Sequence, residues 1–193
     1  NMPLLPALAF ARQLIEGRLK NGGRALDGTA GNGRDTLFLA QLVGGNGKVW
    51  AFDIQAQALS NTAGLLRENG VEERVELIAA SHADLADYVR EPLDAAMFNF
   101  GYLPGGDKTV TTKADSSVRA MQAAAALLAE GGLLTAVVYS GHPAGRAEAA
   151  AIEQWAAALP QEQYQVLHYR FTNQRNHPPQ LLAIEKRIRK PNR

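Results

Sequence analysis

A chain of 193 residues, 46% apolar and 20% charged, has the size and composition of one domain with a buried core. Its net charge of +1 neither requires a polyanionic partner nor excludes one. Cysteine is absent, which removes disulfides, thiolate zinc sites, thiolate nucleophiles and cysteine-held iron–sulfur clusters, and fits a cytoplasmic protein.

The pattern alternates short apolar runs with helical stretches, as in a layered α/β fold. Met2, after Asn1, reads as the native start, with no signal peptide and no apolar run near the ~18 residues of a membrane span. A first helix is expected over residues 7–20, with Leu8, Ala11, Leu14, Ile15 and Leu19 on one stripe and Asn21-Gly22-Gly23 stopping it. Strand one covers residues 24–27; the turn 28–33 then opens a helix through Thr36, Leu37, Leu39, Ala40 and Leu42. Strands two to five are expected at 48–53, 75–80, 95–99 and 133–139. A helix over about 117–128 should stop at Gly131-Gly132, and another should cover 147–159. Residues 165–171 and 181–185 read as a closing hairpin around the loop 173–180. The expected fold is Rossmann-like α/β: a mostly parallel seven-stranded sheet with one antiparallel strand and helices on both faces. One domain fills the chain, and its end (186–193) is basic, through Lys186, Arg187, Arg189, Lys190 and Arg193. That run reads more simply as a solvated tail than as a binding arm.

The strongest local signal is Ala25-Leu-Asp-Gly-Thr-Ala-Gly-Asn-Gly33, between a strand and a helix. Its glycines let the backbone approach a ligand closely. Asp53, twenty residues beyond Gly33, ends the next strand, where a carboxylate can accept ribose hydroxyls. The phosphate-seating spacing of a dinucleotide site is missing. Instead the turn runs Asp27-x-Thr29-x-Gly31-x-Gly33, and its leading acid could hold the ammonium of S-adenosylmethionine. The pattern resembles the first motif of class I methyltransferases, with Thr29 in place of the first glycine.

Further segments carry a wider resemblance: Asp27-Gly-Thr-Ala-Gly-Asn-Gly-Arg-Asp-Thr36, Ala51-Phe-Asp-Ile-Gln55, Asn99-Phe-Gly-Tyr-Leu-Pro-Gly-Gly-Asp-Lys108, Tyr139-Ser-Gly-His142 and Asn173-Gln-Arg-Asn-His-Pro-Pro179. Together they resemble the group labelled rRNA methylases, some members of which are tRNA wobble-uridine methyltransferases converting 5-aminomethyluridine to 5-methylaminomethyluridine. The resemblance runs from about Leu14 to Lys186. It implies S-adenosylmethionine as cofactor and a tRNA substrate, with rRNA or a small molecule as the alternative. It also implies cofactor contacts from Asp27, Thr29, Gly31, Asn32, Gly33, Asp35, Thr36, Asp53, Gln55, Ser81, His82 and Asn99, and substrate contacts from Tyr102, Asp107, Lys108, Asn173, Arg175 and Asn176. No metal is implied, and a homodimer is compatible with the pattern.

Ligands of open parallel sheets sit beyond the carboxyl ends of the strands, where Asp27, Asp53, Ser81-His82, Asn99, His142 and the loop 173–177 are all expected. Asn99-Phe-Gly-Tyr102 resembles the Asn/Asp-Pro-Pro-aromatic motif of amine methyltransferases, in which the amide oxygen accepts from the amine and the ring stacks on the base. The simpler alternative is that Asn99 caps a turn and Tyr102 packs. Catalysis is expected of Asn99, Tyr102 and His142. His82, His142 and His177 are candidate proton acceptors, although a lone histidine is more often structural. Asp107-Lys108 could order on RNA or be an exposed turn. Without a thiolate to add to a pyrimidine ring and without a cluster for radical chemistry, N- or O-methylation remains.

Overall fold

Apolar residues alternate along the strands, so each strand serves two core layers, one on each face of a single sheet. Leu26, Trp50, Phe52, Phe98 and Phe100 belong to one layer; Ala25, Val49, Ala95, Met97 and Val137 belong to the other. The computed structural model describes residues 3–101 and 113–192. Its strands are β1 (Arg24–Asp27), β2 (Lys48–Asp53), β3 (Val75–Ala79), β4 (Leu93–Phe100), β5 (Leu128–Val138), β6 (Tyr164–Tyr169) and β7 (Gln180–Lys186). They form a seven-stranded sheet in the order β3-β2-β1-β4-β5-β7-β6, in which β7 alone runs against the rest. The expected architecture is therefore the observed one.

Helices α1 (Ala7–Glu16), α2 (Arg34–Val43) and α3 (Ala56–Glu68) share one core layer, while α4 (Ala114–Leu127) and α5 (Pro143–Ala157) share the other. The chain moves outward from β1 to β3 on one side and returns to β4 on the other. That reversal opens a crevice above the carboxyl ends of β1 and β4, where a ligand can lie between diverging connections. No helix among the described residues is long and apolar enough to cross a membrane.

Several boundaries differ from the sequence expectation. The first helix ends at Glu16, not at residue 20, because the Arg18 and Leu19 N–H groups both turn back to the Ile15 carbonyl, at 2.9 and 2.8 Å. Leu19 remains buried from that turn. Gly131-Gly132 does not stop a helix. α4 has already ended at Leu127, and the pair lies inside β5, where the register to β4 jumps between Leu93 and Ala95. Gly131 has φ +81°, and a Cβ on Gly132 would stand 2.8 Å from the Leu93 carbonyl oxygen, so the irregularity selects both glycines. α5 starts at Pro143 rather than at residue 147, since the His142 side chain accepts the Gly145 N–H and starts the helix earlier.

Candidate active site

The turn between β1 and α2 is shaped by what it packs against. A Cβ on Gly28 would lie 2.1 Å from the Phe98 ring, so the chain leaves β1 with no room for a side chain. Gly31 and Gly33 have φ +52° and +83°, in the left-handed region. The turn is tied to the next strand: Asp53 Oδ2 accepts the Gly31 N–H at 2.9 Å, and Oδ1 accepts the Gln55 N–H at 2.9 Å. Two hydrogen bonds leave further lone pairs on this half-buried carboxylate. Ile54, next in the chain after Asp53, is an apolar side chain 62% exposed.

Asp27 is fully buried at the floor of the turn. Its Oδ1 accepts the Thr29 N–H at 3.0 Å and its Oδ2 the Thr36 hydroxyl at 2.7 Å. Burial, the Asp35 charge and, more weakly, the Asp53 charge push its carboxyl up to about 7, against the pull of those two hydrogen bonds. A carboxyl poised there ionises readily when a cation arrives.

Asn99, near the end of β4, is held at two points. Its backbone N–H donates to Thr29 Oγ1 at 2.7 Å, and its Nδ2 donates to Asp35 Oδ2 at 2.7 Å. Its Oδ1 is shielded from solvent yet meets no donor among the described residues. The other oxygen of Asp35 accepts from Arg12 Nε at 3.1 Å and Nη2 at 2.8 Å, so α1, α2 and β4 converge on one carboxylate. Arg12 also lies over the Phe38 ring, 5.2 Å from its centroid.

The histidines have other employment. His82 Nδ1 stands 2.9 Å from the Gly28 carbonyl, and its buried ring packs edge-on to Phe98 and Phe100. Burial lowers its pKa, which keeps the imidazole neutral beneath the turn. Ser81 Oγ accepts the Ala83 N–H at 3.1 Å and starts the short 3-10 turn there. His142 accepts the Gly145 N–H on Nδ1 at 3.0 Å and faces the Gly101 carbonyl with Nε2 at 3.2 Å. Nδ1 caps α5 and Nε2 is taken up by the Gly101 carbonyl, so we assign no proton transfer to this ring.

Direct hydrogen bonds thus join Asp27, Thr29, Thr36, Asp35 and Asn99 in one network, and a separate bond ties Gly31 to Asp53. Asn32 is exposed beside them, and Gln55 contributes its backbone. Asn173, Arg175 and Asn176 are exposed on the β6–β7 loop, outside that network. The paired residues Asn99, Val137, Leu181 and Tyr169 form one rung across β4, β5, β7 and β6, so this loop leaves from the same sheet edge as Asn99. Tyr102, Asp107 and Lys108 lie outside the described residues. Arg12 and Ile54 carry no expectation from the sequence. An apolar residue directly after Asp53 could have signalled Ile54, whereas nothing near Arg12 announces a partner 23 residues away. Among the described residues no three His, Asp or Glu side chains gather as a metal would require.

Comparisons with known proteins agree with this fold. The family model described as "Putative rRNA methylase" matches residues 49–185. The chain belongs to this family. A chloroplastic tRNA (mnm(5)s(2)U34)-methyltransferase of Arabidopsis thaliana is 37% identical over 164 residues, which are 80% of this chain and 60% of that protein. The chain thus spans about 60% of the length of this curated relative. Among solved structures, an rRNA methylase from Clostridium thermocellum superposes with TM-score 0.94 at 38% identity, covering 96% of this chain and all (100%) of that one. A methyltransferase from Streptococcus mutans in complex with SAH gives TM-score 0.88 at 35% identity, over 95% and 99% of the two chains. The family is one of S-adenosylmethionine-dependent methyltransferases, so the domain's cofactor and enzyme class are those expected from the glycine turn and Asp53.

Proposed function

We propose that the protein is an RNA N-methyltransferase that converts the 5-aminomethyl group of 5-aminomethyl(-2-thio)uridine at the tRNA wobble position to 5-methylaminomethyl. The observation that carries this reading is the shielded Asn99 Oδ1, which meets no donor among the described residues, beside a turn suited to S-adenosylmethionine. Leaving a buried acceptor unmade costs about 1–3 kcal/mol, so the site is built for a donor that arrives with a ligand. The arrangement fits that cofactor: Asp27 for the ammonium, Asp53 for ribose hydroxyls, the backbone at Gly31 and Gly33 for close approach, and exposed Ile54 for a purine face.

Bound there, S-adenosylmethionine supplies an electrophilic methyl on sulfur. Asn99 Oδ1 would accept an N–H of the neutral acceptor amine and aim its lone pair at that methyl; the thioether would be the leaving group and the methylated ammonium would release its proton to solvent. Such alignment supplies much of the rate of a displacement. With His82 neutral beneath the turn and His142 held by the start of α5 and the Gly101 carbonyl, neither of these two is assigned as base. Tyr102 would stack on the base, with Asn173, Arg175 and Asn176 meeting the RNA backbone from the β6–β7 loop. The named tRNA substrate of the Arabidopsis relative supports the choice of acceptor.

The test is transfer of labelled methyl from S-adenosylmethionine to purified tRNA carrying the 5-aminomethyl group, with nucleoside mass spectrometry to place it. The expected product is 5-methylaminomethyluridine at the wobble position, with binding weakened by salt. Label entering ribosomal RNA and not such tRNA would overturn the assignment in favour of the alternative substrate.

A further inference from the structure

A carboxamide has two faces of nearly equal shape, one an acceptor and one a donor. Only one orientation of Asn99 serves an incoming amine, and the turned group would point N–H at N–H. Something must fix that choice. The Asp35 carboxylate, paired with Arg12, offers only lone pairs, so the face of Asn99 turned to it, 2.7 Å away, must be the amide nitrogen. The oxygen is thereby left to the site. Asp35 is itself held through its other oxygen by two donors of Arg12, whose side chain is one-third exposed and rests on Phe38. The three groups lie on α1, α2 and β4, separated by 23 and 64 residues in the chain.

We infer that Arg12 and Asp35 are positioning residues that lock the Asn99 carboxamide with its oxygen toward the acceptor amine. The inference rests on the proposed role of Asn99. It also accounts for the choice of an amide over a carboxylate at position 99. A carboxylate there would stand against Asp35 at 2.7 Å, acceptor against acceptor and charge against charge. The relay thus makes the amide the one acceptor that this pocket tolerates. Asp35 then serves the acceptor side of the site through Asn99.

Exchanging the two groups tests this directly. N99D brings two carboxylates together and D35N lets the Asn99 amide turn, so each should lower kcat about 100-fold, as loss of alignment does. Cofactor affinity, read by calorimetry, should move by less than roughly threefold, because the loss lies after binding. In the double variant D35N/N99D, the amide nitrogen introduced at position 35 can donate to the carboxylate introduced at position 99, while the new amide oxygen accepts from Arg12. This double variant should therefore recover about tenfold or more over either single. Arg12→Gln should fall between wild type and D35N. The readout independent of turnover is the Asn99 side-chain NH2 signal in 15N spectra, assigned by its loss in N99D. It should be sharp and slow to exchange in wild type, and broadened in D35N. A double variant no better than the product of its singles, or an Asn99 amide signal indifferent to D35N, overturns the inference. If wild type fails to methylate the aminomethyl tRNA while the amide signal behaves as described, the substrate assignment fails and the relay stands.

Discussion

Replacing Asp27 by Asn should make the cofactor-free protein more stable at pH 8 and, at the same time, poor at holding its cofactor. The Asp27 carboxyl has its ordinary pKa near 3.8 in the unfolded chain, and burial followed by the Asp35 charge raises it to about 7 in the fold. Between those values the native state carries a proton that the unfolded state has lost, so stability falls as pH rises from about 4 to 7 and levels off above. At about 1.4 kcal/mol per unit, a shift of roughly three units amounts to about 4 kcal/mol of destabilisation at pH 8. The amide of D27N keeps the contacts, with Oδ1 on the Thr29 N–H and Nδ2 donating to Thr36 Oγ1, but replaces charge-assisted bonds by weaker neutral ones. Discounting for that leaves a net gain near ~2 kcal/mol at pH 8, or roughly 4–8 °C in melting temperature for a domain of this size. Urea denaturation of wild type and D27N at pH 5, 6, 7 and 8 measures it, and the difference between the two curves isolates this carboxyl. In the same proteins, calorimetry should show wild-type affinity for S-adenosylmethionine rising with pH up to about 7, by as much as about tenfold per unit, and D27N binding weakly throughout. A stability difference that does not change between pH 5 and 8 would refute the reasoning.

Three further outcomes follow from the same geometry. Asp53→Ala releases the Gly31 and Gln55 N–H groups together, so cofactor affinity should fall by about tenfold or more, with wild-type-like binding the contrary result. Asn99→Ala should lower kcat by about 100-fold while cofactor Kd changes little; an equal loss in both would make Asn99 a structural residue instead. Gly28→Ala forces a methyl onto the Phe98 ring, where no space exists, and should cost about 1–3 kcal/mol in a denaturant titration. Adding F98L should relieve much of that loss.

The alternation of apolar runs, the strand-turn-helix at residues 24–43 and the acid at Asp53 were legible because each depends on a few neighbouring residues. A glycine at Gly33 reads as a left-handed turn, and an acid ending a strand beside such a turn reads as a ribose acceptor, wherever the rest of the chain goes. Hence the fold class and the cofactor class could both be read locally. The family segments reached further, since five separated motifs together carry the resemblance to one family.

What local sequence could not decide were the facts set by partners distant in the chain. Gly131-Gly132 looks like a helix stop on its own, yet Leu128 pairs with Leu93 and draws the segment into β5 as an irregular strand. His142 looks like a proton acceptor on its own, yet the turn at Gly101 and the start of α5 take up both nitrogens. The orientation of the Asn99 amide depends on Asp35, and the hold on Asp35 depends on Arg12, a residue whose sequence neighbours mark only the polar side of an amphipathic helix. Hydrogen-bond polarity between groups from three elements is a property of their packing: residue types state what each can donate or accept, and only the tertiary structure determines which face meets which.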